Sequence, residues 1–272
     1  MRNLTDRAHA HQLSILSPSV LLLVGGSLNG FAVRMIESWT QNGFSSVFLG
    51  LSPFELITLF VAATLVANAP LEKCPTLRTY APEFAAAMAM LIPSSAVTWG
   101  ALALYATYKA INSNGSARTG ALLFAALAAS ALWSSLIIKL VAIPVTTIDA
   151  TIVGFILSML KSGVVQSANV VGVPDGHTLI VMTACASLDA IPAVLVGLAA
   201  IFVFSKSFDP ITFAKSAGLF AALYVTANLI RLTMMAWSFD LYTIAHGPIG
   251  SNVFDIVVTI GAFAIALRED SK

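Results

Sequence analysis

Three residues in the C-terminal half carry side chains that could do chemistry together: the thiol of Cys185, the guanidinium of Arg231 and the imidazole of His246. In a cysteine acyl-transfer site, a thiolate attacks a carbonyl carbon, an imidazole moves protons, and a cationic group stabilises developing negative charge. Each residue also has a simpler interpretation. A cysteine in a membrane helix is commonly a small apolar filler, an arginine can extend its head group to the interface, and a histidine before Gly247-Pro248 is typical of a loop.

Other polar residues follow the spacing of a helix near these three. Tyr224, Asn228 and Arg231 are separated by four and then three residues, so on a helix they share one face. We predict that this polar face points into the protein. Asp189 follows Cys185 by four residues, which places both on one face of a predicted helix. We predict that Asp189 pairs with Arg231 or orients His246, with a purely structural ion pair as the alternative.

The sequence contains no pattern that would hold a metal ion or a cofactor. It has no H-E-x-x-H motif and no glycine-rich phosphate loop after a strand. We therefore predict neither group. The two cysteines, Cys74 and Cys185, are predicted to lie on opposite sides of a membrane, so we expect no disulfide between them.

The composition indicates that most of the chain lies in a lipid bilayer. Its 272 residues are 58% hydrophobic and 10% charged, whereas soluble domains are about 25% charged. The run 119–138 contains no charge and meets the roughly 20 residues that a helical span needs. A net charge of +1 argues against nucleic acid as a partner. We predict an all-α polytopic membrane protein formed by one integral membrane domain, residues 1–272.

Eight membrane spans are predicted, each bounded by turn and capping signals. The second follows Ser52-Pro53 and the seventh follows Asp209-Pro210, which are typical helix starts. A kink is expected at Pro93 within the third. Before the sixth span, β-branched residues flank Pro174-Asp175-Gly176, which predicts a small extracytoplasmic β-hairpin. The predicted spans are residues 18–36, 53–68, 82–108, 119–140, 148–160, 183–204, 211–236 and 251–267.

The distribution of basic residues predicts the orientation, because cytoplasmic loops are enriched in lysine and arginine. With both termini in the cytoplasm, six basic residues fall on the inner side: Lys73, Arg78, Lys206, Lys215, Arg268 and Lys272. Lys109 and Arg118 fall on the outer side and count against this orientation. We therefore predict a multi-pass protein of the cytoplasmic (inner) membrane. Cys185, Arg231 and His246 then all lie at the extracytoplasmic side.

The region 136–267 resembles the exosortase/archaeosortase family of membrane cysteine transpeptidases. That family carries an outer hairpin, an Ala-Cys-Ser-Gly motif, an Ala-Asn-x-x-Arg motif and a His-x-x-x-Gly-x-x-x-Phe motif. The matching residues are Ala184-Cys185-Ala186-Ser187, then Ala227-Asn228-Leu229-Ile230-Arg231, then His246, Gly250 and Phe254. Two departures flank the cysteine: Ala186-Ser187 replaces the usual Ser-Gly, and Thr183 stands where an acidic residue is common.

This resemblance implies that the protein processes exported proteins that bear a C-terminal sorting signal. Such a signal consists of a recognition motif, a transmembrane helix and a basic tail. Cys185 would be the nucleophile that forms a thioester, His246 the acid and base, and Arg231 the stabiliser of the oxyanion or thiolate. An amine acceptor or water would resolve the thioester. A lateral opening toward the membrane lipid would admit the helix of the substrate.

Two other functions are compatible with the sequence. A small-solute transporter would also carry polar residues within its spans, but the internal repeat common in transporters is not evident in this sequence. A non-catalytic exosortase-like protein would act in binding or assembly, and the altered residues after Cys185 keep this alternative open.

Overall fold

The structure is a computed structural model that describes residues 17–42, 52–69, 80–174, 177–205 and 209–270. Some residues that carry sequence-based predictions lie outside these ranges: Cys74, the Asp175-Gly176 turn, and the basic residues Lys73, Arg78, Lys206 and Lys272. The chain divides into two compact units, residues 1–43 with 53–132 and residues 44–52 with 133–272. The prediction of a single membrane domain stays a prediction, and each unit is described by itself.

The first unit is helical throughout the part that the structure describes. Its helices are α1 (Pro18–Asn42), α2 (Pro53–Ala67), α3 (Ala81–Met90), α4 (Ser95–Asn112) and α5 (Gly115–Leu132). Helix α5 packs against α4 and α2, and α1 packs against α4. Fully buried Trp99 and Phe124 belong to the core. Gly30 of α1 permits close packing here, because a Cβ at that position would lie 2.7 Å from the Trp99 ring.

The predicted third span, 82–108, is wrong as a single helix because α3 and α4 are separated by residues 91–94. Pro93 lies in this break. A proline has no N–H to donate and its ring clashes with the preceding turn, so the expected kink is a complete interruption. Polar side chains satisfy the carbonyls that the break releases. Asn29 Nδ2 donates to Met90 O at 2.6 Å, and Thr98 Oγ1 donates to Ile92 O at 3.3 Å.

Charged side chains inside the first unit are paired with one another. Arg34 binds Glu55 through two parallel hydrogen bonds of 2.8 and 2.6 Å, joining α1 to α2. Lys109 Nζ lies 4.0 Å from Glu83 Oε1, and the Tyr105 hydroxyl donates to the same oxygen at 3.3 Å. Lys109 was predicted to count as an outer-side basic residue. It lies in the last turn of α4, buried beside Glu83, and the predicted orientation stays a prediction.

The second unit combines helices with a small sheet. It begins with a π-helical turn (Trp133–Ile137) and a final helical turn (Ile138–Leu140) that follow α5. After these come α6 (Ala142–Leu160), β1 (Val165–Ser167), β2 (Val170–Gly172), β3 (Thr178–Ile180), a 3₁₀ turn (Thr183–Cys185), α7 (Ile191–Phe204), α8 (Pro210–Trp237), α9 (Phe239–His246) and α10 (Pro248–Asp270).

Two of the predicted span boundaries in this unit are wrong. The fifth span was predicted as 148–160, but α6 begins at Ala142. Pro144 lies in its first turn, where a missing N–H costs no helical hydrogen bond. The sixth was predicted as 183–204, but its α-helix begins only at Ile191. Pro192 occupies the first turn of that helix. The helical conformation is disfavoured for a residue that precedes a proline, so the helix begins beside Pro192 and not earlier.

The last two predicted spans agree with the structure to within a few residues. The seventh, 211–236, corresponds to α8, where Asp209 caps the helix by accepting from Thr212 N at 2.8 Å. The eighth, 251–267, lies within α10. The short helix α9 between them was not predicted. Ser238 caps it by accepting from Leu241 N at 3.3 Å, so His246 ends a helix rather than lying in a loop.

Five helical segments of the described chain are long and apolar enough to cross a membrane: 18–37, 115–140, 142–160, 210–237 and 249–266. Helices α2 and α7 are apolar but shorter. These segments support an α-helical membrane protein, as predicted. The count of eight spans is not confirmed.

The predicted hairpin is a three-stranded antiparallel sheet in the order β1-β2-β3. Val171 lies opposite both Gln166 and Leu179 in the register. The tight turn between β1 and β2 was not predicted, because Ala168 adopts a positive φ of 50° there, a conformation uncommon for residues other than glycine. Gln166 Nε2 donates to Ala168 O at 2.7 Å and closes this turn.

Candidate active site around Cys185

The sheet positions the segment that leads to Cys185. After β3, Val181 N donates to Asn169 O at 2.8 Å, and Asn169 Nδ2 donates to Val181 O at 3.0 Å. The side chains of Leu179 and Val181 are buried in a core that also contains Leu232 of α8. Cys185 packs against this same core. The sheet therefore fixes the start of the cysteine loop against α8.

Two helices hold the cysteine loop by hydrogen bonds. From α8, Asn228 Nδ2 donates to Cys185 O at 2.9 Å and to Ser187 Oγ at 3.1 Å. From α6, Asp149 Oδ2 accepts from Ser187 N at 2.7 Å. Asn228, Ser187 and Asp149 are all buried. The loop is thus anchored on both sides of the cysteine carbonyl by groups that are removed from water.

The two residues that depart from the family motif have clear structural environments. Ala186 is buried and packs with Ile138 and Val145 in a small apolar cluster. A serine at position 186 would bring a hydroxyl into that cluster, which is costly without a partner. Ser187 supplies both the hydroxyl that accepts from Asn228 and the N–H that donates to Asp149. The sequence Ala186-Ser187 therefore fits the anchoring of this loop.

The polar face of α8 points inward, as predicted. Tyr224 and Asn228 are 8% and 2% exposed, and Arg231 is half-buried. The Arg231 guanidinium carbon lies 5.2 Å from the centre of the Phe254 ring in α10. Tyr224 also meets that ring, with an edge-to-face contact whose centroids are 5.7 Å apart. These contacts hold the arginine between α8 and α10.

Arg231 is also joined to the corner between α9 and α10 that carries His246. Its Nε donates to Ala245 O at 3.1 Å, and its Nη2 donates to Ser251 Oγ at 3.1 Å. The Ser251 hydroxyl donates in turn to His246 O at 3.4 Å. A guanidinium has five N–H donors. Its other donors make no hydrogen bond within the described part of the chain.

Gly250 allows the corner between α9 and α10 to close tightly. A Cβ at this position would lie 2.2 Å from Ile244 O and 2.7 Å from the Cα of Ala245. No side chain fits at such distances without a backbone shift. The glycine of the third motif is therefore needed for the close approach of the two helices, next to the carbonyl that accepts from Arg231.

His246 and Cys185 lie on elements that meet at one core, but their side chains are not hydrogen-bonded. Ala245 and Cys185 both contact the core that contains Leu232. The His246 imidazole is exposed and stacks on the Tyr242 ring with centroids 5.0 Å apart. Within the described residues, no hydrogen bond joins this imidazole to the thiol. The structure thus brings the two segments together without forming the thiol–imidazole contact.

Asp189 does not share a helix face with Cys185, so that part of the prediction is wrong. The backbone between them leaves the 3₁₀ turn and becomes helical again only at Ile191. Ser134 Oγ donates to Asp189 O at 3.3 Å and Trp133 Nε1 donates to Leu188 O at 3.0 Å, which holds this segment. The proposed pairing of Asp189 with Arg231 or His246 stays a prediction.

The surroundings of Cys185 disfavour its thiolate. Burial raises the pKa of the Cys185 thiol above its usual range, because the thiolate loses hydration. The positive charge of Arg231 opposes this effect, and the negative charge of Asp189 adds to it. Activation of this thiol therefore needs a base or a further source of positive charge.

Three residues of this site were not predicted from the sequence: Asp149, Ser187 and Ser251. Asp149 falls at the start of the predicted fifth span, 148–160, but it lies inside α6. An acidic residue within an apolar run is itself a signal of a buried partner. Ser187 and Ser251 carried no comparable signal, because serines are common at helix and loop boundaries.

No match to the chain is found among protein-family models, curated proteins or solved structures. Within the part of the chain that the structure describes, no group of three or more His, Cys, Asp and Glu residues is arranged to hold a metal ion.

Proposed function

We propose that the chain is a membrane-embedded cysteine transpeptidase or protease of the exosortase/archaeosortase family, acting at the extracytoplasmic face of the cytoplasmic membrane. One observation carries the proposal. A single face of α8 donates hydrogen bonds both to the carbonyl of Cys185, through Asn228, and to the carbonyl of Ala245, through Arg231. This face joins the thiol segment to the histidine segment, although they are distant in sequence.

In the proposed reaction, the His246 imidazole accepts the proton of the Cys185 thiol. The thiolate attacks the carbonyl carbon of a peptide bond in the sorting signal. Arg231 donates unused N–H groups to the oxyanion that forms. The C–N bond then breaks, and the imidazolium returns the proton to the leaving amine. An amine acceptor or water then attacks the thioester carbonyl while His246 accepts its proton. The C–S bond breaks, and the imidazolium returns that proton to the Cys185 thiolate.

This chemistry needs the His246 imidazole to reach the Cys185 thiol. The His246 imidazole is exposed at the end of the short helix α9, where stacking on Tyr242 is its only aromatic contact in the described chain. Rotation of an exposed side chain is fast and inexpensive. Catalytic hydrogen bonds are often absent in substrate-free enzymes and form when substrate binds. We therefore expect the thiol–imidazole contact to form with substrate.

The direct test is co-expression with an exported protein that bears a motif, a transmembrane helix and a basic tail. Intact-mass analysis should show cleavage, or transfer to an amine, in the presence of the unaltered chain. Cys185→Ala should abolish that product. Cys74→Ala is the matched control and should retain it. A product that persists in Cys185→Ala contradicts the proposed nucleophile.

The second candidate function is a non-catalytic exosortase-like protein that binds such signals. The half-buried thiol, whose pKa is raised, and the lack of a hydrogen bond from it to His246 within the described residues favour this alternative. A membrane-impermeant thiol reagent applied from outside separates the two functions. Labelling of Cys185 that blocks processing supports the enzyme. A thiol that stays unlabelled while the signal still binds supports the binding protein.

A further inference from the structure

A cavity of about 230 Å³ lies between the beginning of α8 and the end of α10. Its lining consists of Lys215, Ser216, Leu219, Ala264, Ile265 and Arg268. Both helices contain segments long enough to cross a membrane, one beginning at Pro210 and the other ending at Ala266. The cavity is therefore at the ends of two candidate spans, where the hydrocarbon of a bilayer gives way to its head groups. From Lys215 to Arg231 along α8 is about 24 Å at 1.5 Å per residue.

The charged groups of this lining have one sign. Lys215 and Arg268 are both exposed and both basic, and no carboxylate contributes to the lining. Outside the lining, Asp209 lies close enough to Lys215 for their charges to interact. The Asp209 carboxylate accepts the Thr212 N–H at the helix start, which lowers the pKa of Asp209, with a smaller contribution from Lys215. The side chains that line the cavity therefore favour an anionic occupant.

The remaining lining combines one hydroxyl with apolar surface. Ser216 is only 3% exposed, yet it borders the cavity. Its hydroxyl makes no hydrogen bond to the chain within the described residues. Leu219 and Ala264 are exposed, and each lies about one helical turn farther from the helix end than Lys215 or Arg268 does. A ligand that fits must therefore offer oxygen acceptors to Lys215, Ser216 and Arg268 and an apolar portion to Leu219.

We propose that this cavity binds the phosphate head group of an anionic phospholipid. The planar guanidinium of arginine suits phosphate oxygens, lysine contributes a point charge, and a serine hydroxyl can donate to the same group. The acyl chains would run along the exposed apolar side of the two helices. Basic pockets between membrane helices bind anionic head groups in this way. A free phosphate ion would leave the apolar side of the cavity unused.

The inference does not depend on the proposed enzymatic function. The site lies at the opposite end of α8 from Arg231, and none of its lining residues contacts the cysteine loop. Lys215 and Arg268 also belong to the basic residues that predict the cytoplasmic side. In the predicted orientation, the lipid would come from the inner leaflet. Lipid binding can be measured independently of any enzymatic activity.

The test is native mass spectrometry of the purified full chain, equilibrated with phosphatidylglycerol or with phosphatidylcholine. We expect the unaltered chain to retain phosphatidylglycerol selectively. Each basic side chain at an anionic membrane surface contributes about fivefold in binding, so Lys215→Gln with Arg268→Gln should weaken retention by roughly 30-fold. Arg118→Gln with Lys139→Gln changes the net charge equally at exposed positions elsewhere and should leave retention unchanged.

A second variant separates a defined site from general attraction to positive charge. Ala264→Trp should fill the cavity while keeping both basic residues, and we expect it to lose selective retention as well. Inorganic phosphate at millimolar concentration should not displace the lipid. Equal loss in both double variants, or full retention in Ala264→Trp, would overturn the proposal. Displacement by inorganic phosphate would overturn the assignment to a lipid.

Discussion

At the residue scale, the reactivity of Cys185 is set by burial and by two opposite charges. Burial disfavours the thiolate, Asp189 disfavours it further, and Arg231 favours it. Thiolate, rather than thiol, is the reactive form. The two charged residues therefore act on one measurable property in opposite directions, whatever reaction the site performs.

Substitutions at these two positions should move the labelling rate of Cys185 in opposite senses. In a Cys74→Ala background, we expect Arg231→Gln to slow alkylation by iodoacetamide near pH 8 and Asp189→Asn to speed it. Loss of the positive charge shifts thiolate formation to higher pH, and loss of the negative charge shifts it to lower pH. Initial rates measured from pH 7 to 10 check this. Identical pH profiles in all three proteins would contradict it.

We expect the Asn228 side chain to stabilise the cysteine loop more than the Ser187 hydroxyl does. Asn228→Ala removes both hydrogen bonds that α8 donates to the loop and leaves the Cys185 carbonyl without its Asn228 donor. Such a loss typically costs about 1–3 kcal/mol. Ser187→Ala keeps the bond to Cys185 O and should cost about 1 kcal/mol. Denaturant unfolding in detergent measures both, and equal losses would argue against the shared anchor.

At the scale of elements, the corner between α9 and α10 depends on close backbone packing. The Cβ that Gly250 lacks would lie 2.2 Å from Ile244 O. This contact sets the position of Ala245 and His246 relative to Arg231. Gly218 of α8 is a useful comparison, because an added Cβ there would meet nothing within 4 Å.

Alanine substitutions at these two glycines should have opposite effects on stability. Gly250→Ala should destabilise the fold by about 1–3 kcal/mol, because the packed backbone must move to accept the methyl group. Gly218→Ala should stabilise it by about 0.5–1 kcal/mol, since alanine restricts the unfolded chain more than glycine. Unfolding free energies in one detergent check the pair. Stabilisation by Gly250→Ala would show that the corner is looser than the structure indicates.

Helices α1 and α2 are joined by the two hydrogen bonds between Arg34 and Glu55, whose carboxylate is nearly fully buried. Removing one partner leaves a buried charge, so Arg34→Met should destabilise the first unit by about 3–5 kcal/mol. The double variant with Glu55→Leu should recover most of that loss. A double-mutant cycle of unfolding free energies measures the coupling. Additive effects of the two substitutions would exclude a significant interaction.

At the scale of the whole molecule, orientation in the membrane is the property that decides whether Cys185 meets exported substrates. Lys109, which falls on the predicted outer side, is buried beside Glu83. Arg118 is exposed at the beginning of α5. The orientation itself stays a prediction.

Reporter fusions test this orientation directly. Green fluorescent protein fused to either terminus should be fluorescent, because it folds in the cytoplasm, and alkaline phosphatase at either terminus should be inactive. Alkaline phosphatase inserted in the β1–β2 turn should be active outside. Termini on opposite sides would contradict an even number of spans, and an inactive insertion at Ala168 would place Cys185 away from exported proteins.

Composition and hydrophobic run length by themselves determined the class of this protein and most of its long helices. Lipid exposure demands apolar surface over about 20 residues, and that requirement is local, so it can be read from consecutive residues. The inward face of α8 follows from the same local periodicity. Asp209 as a helix cap is likewise a signal confined to four residues.

Only the tertiary structure decided how the cysteine loop is held and where charges are paired. The loop that contains the 3₁₀ turn at Cys185 is anchored by Asn228 and Asp149, which are distant in sequence. Lys109 is likewise buried beside the distant Glu83. Pro192 is a local reason for α7 to begin late, but helix propensity along 183–190 does not predict the loop that precedes it. Hydrogen bonds from α6 and α8 stabilise the extended loop there, because buried polar groups must find partners wherever the packed elements supply them.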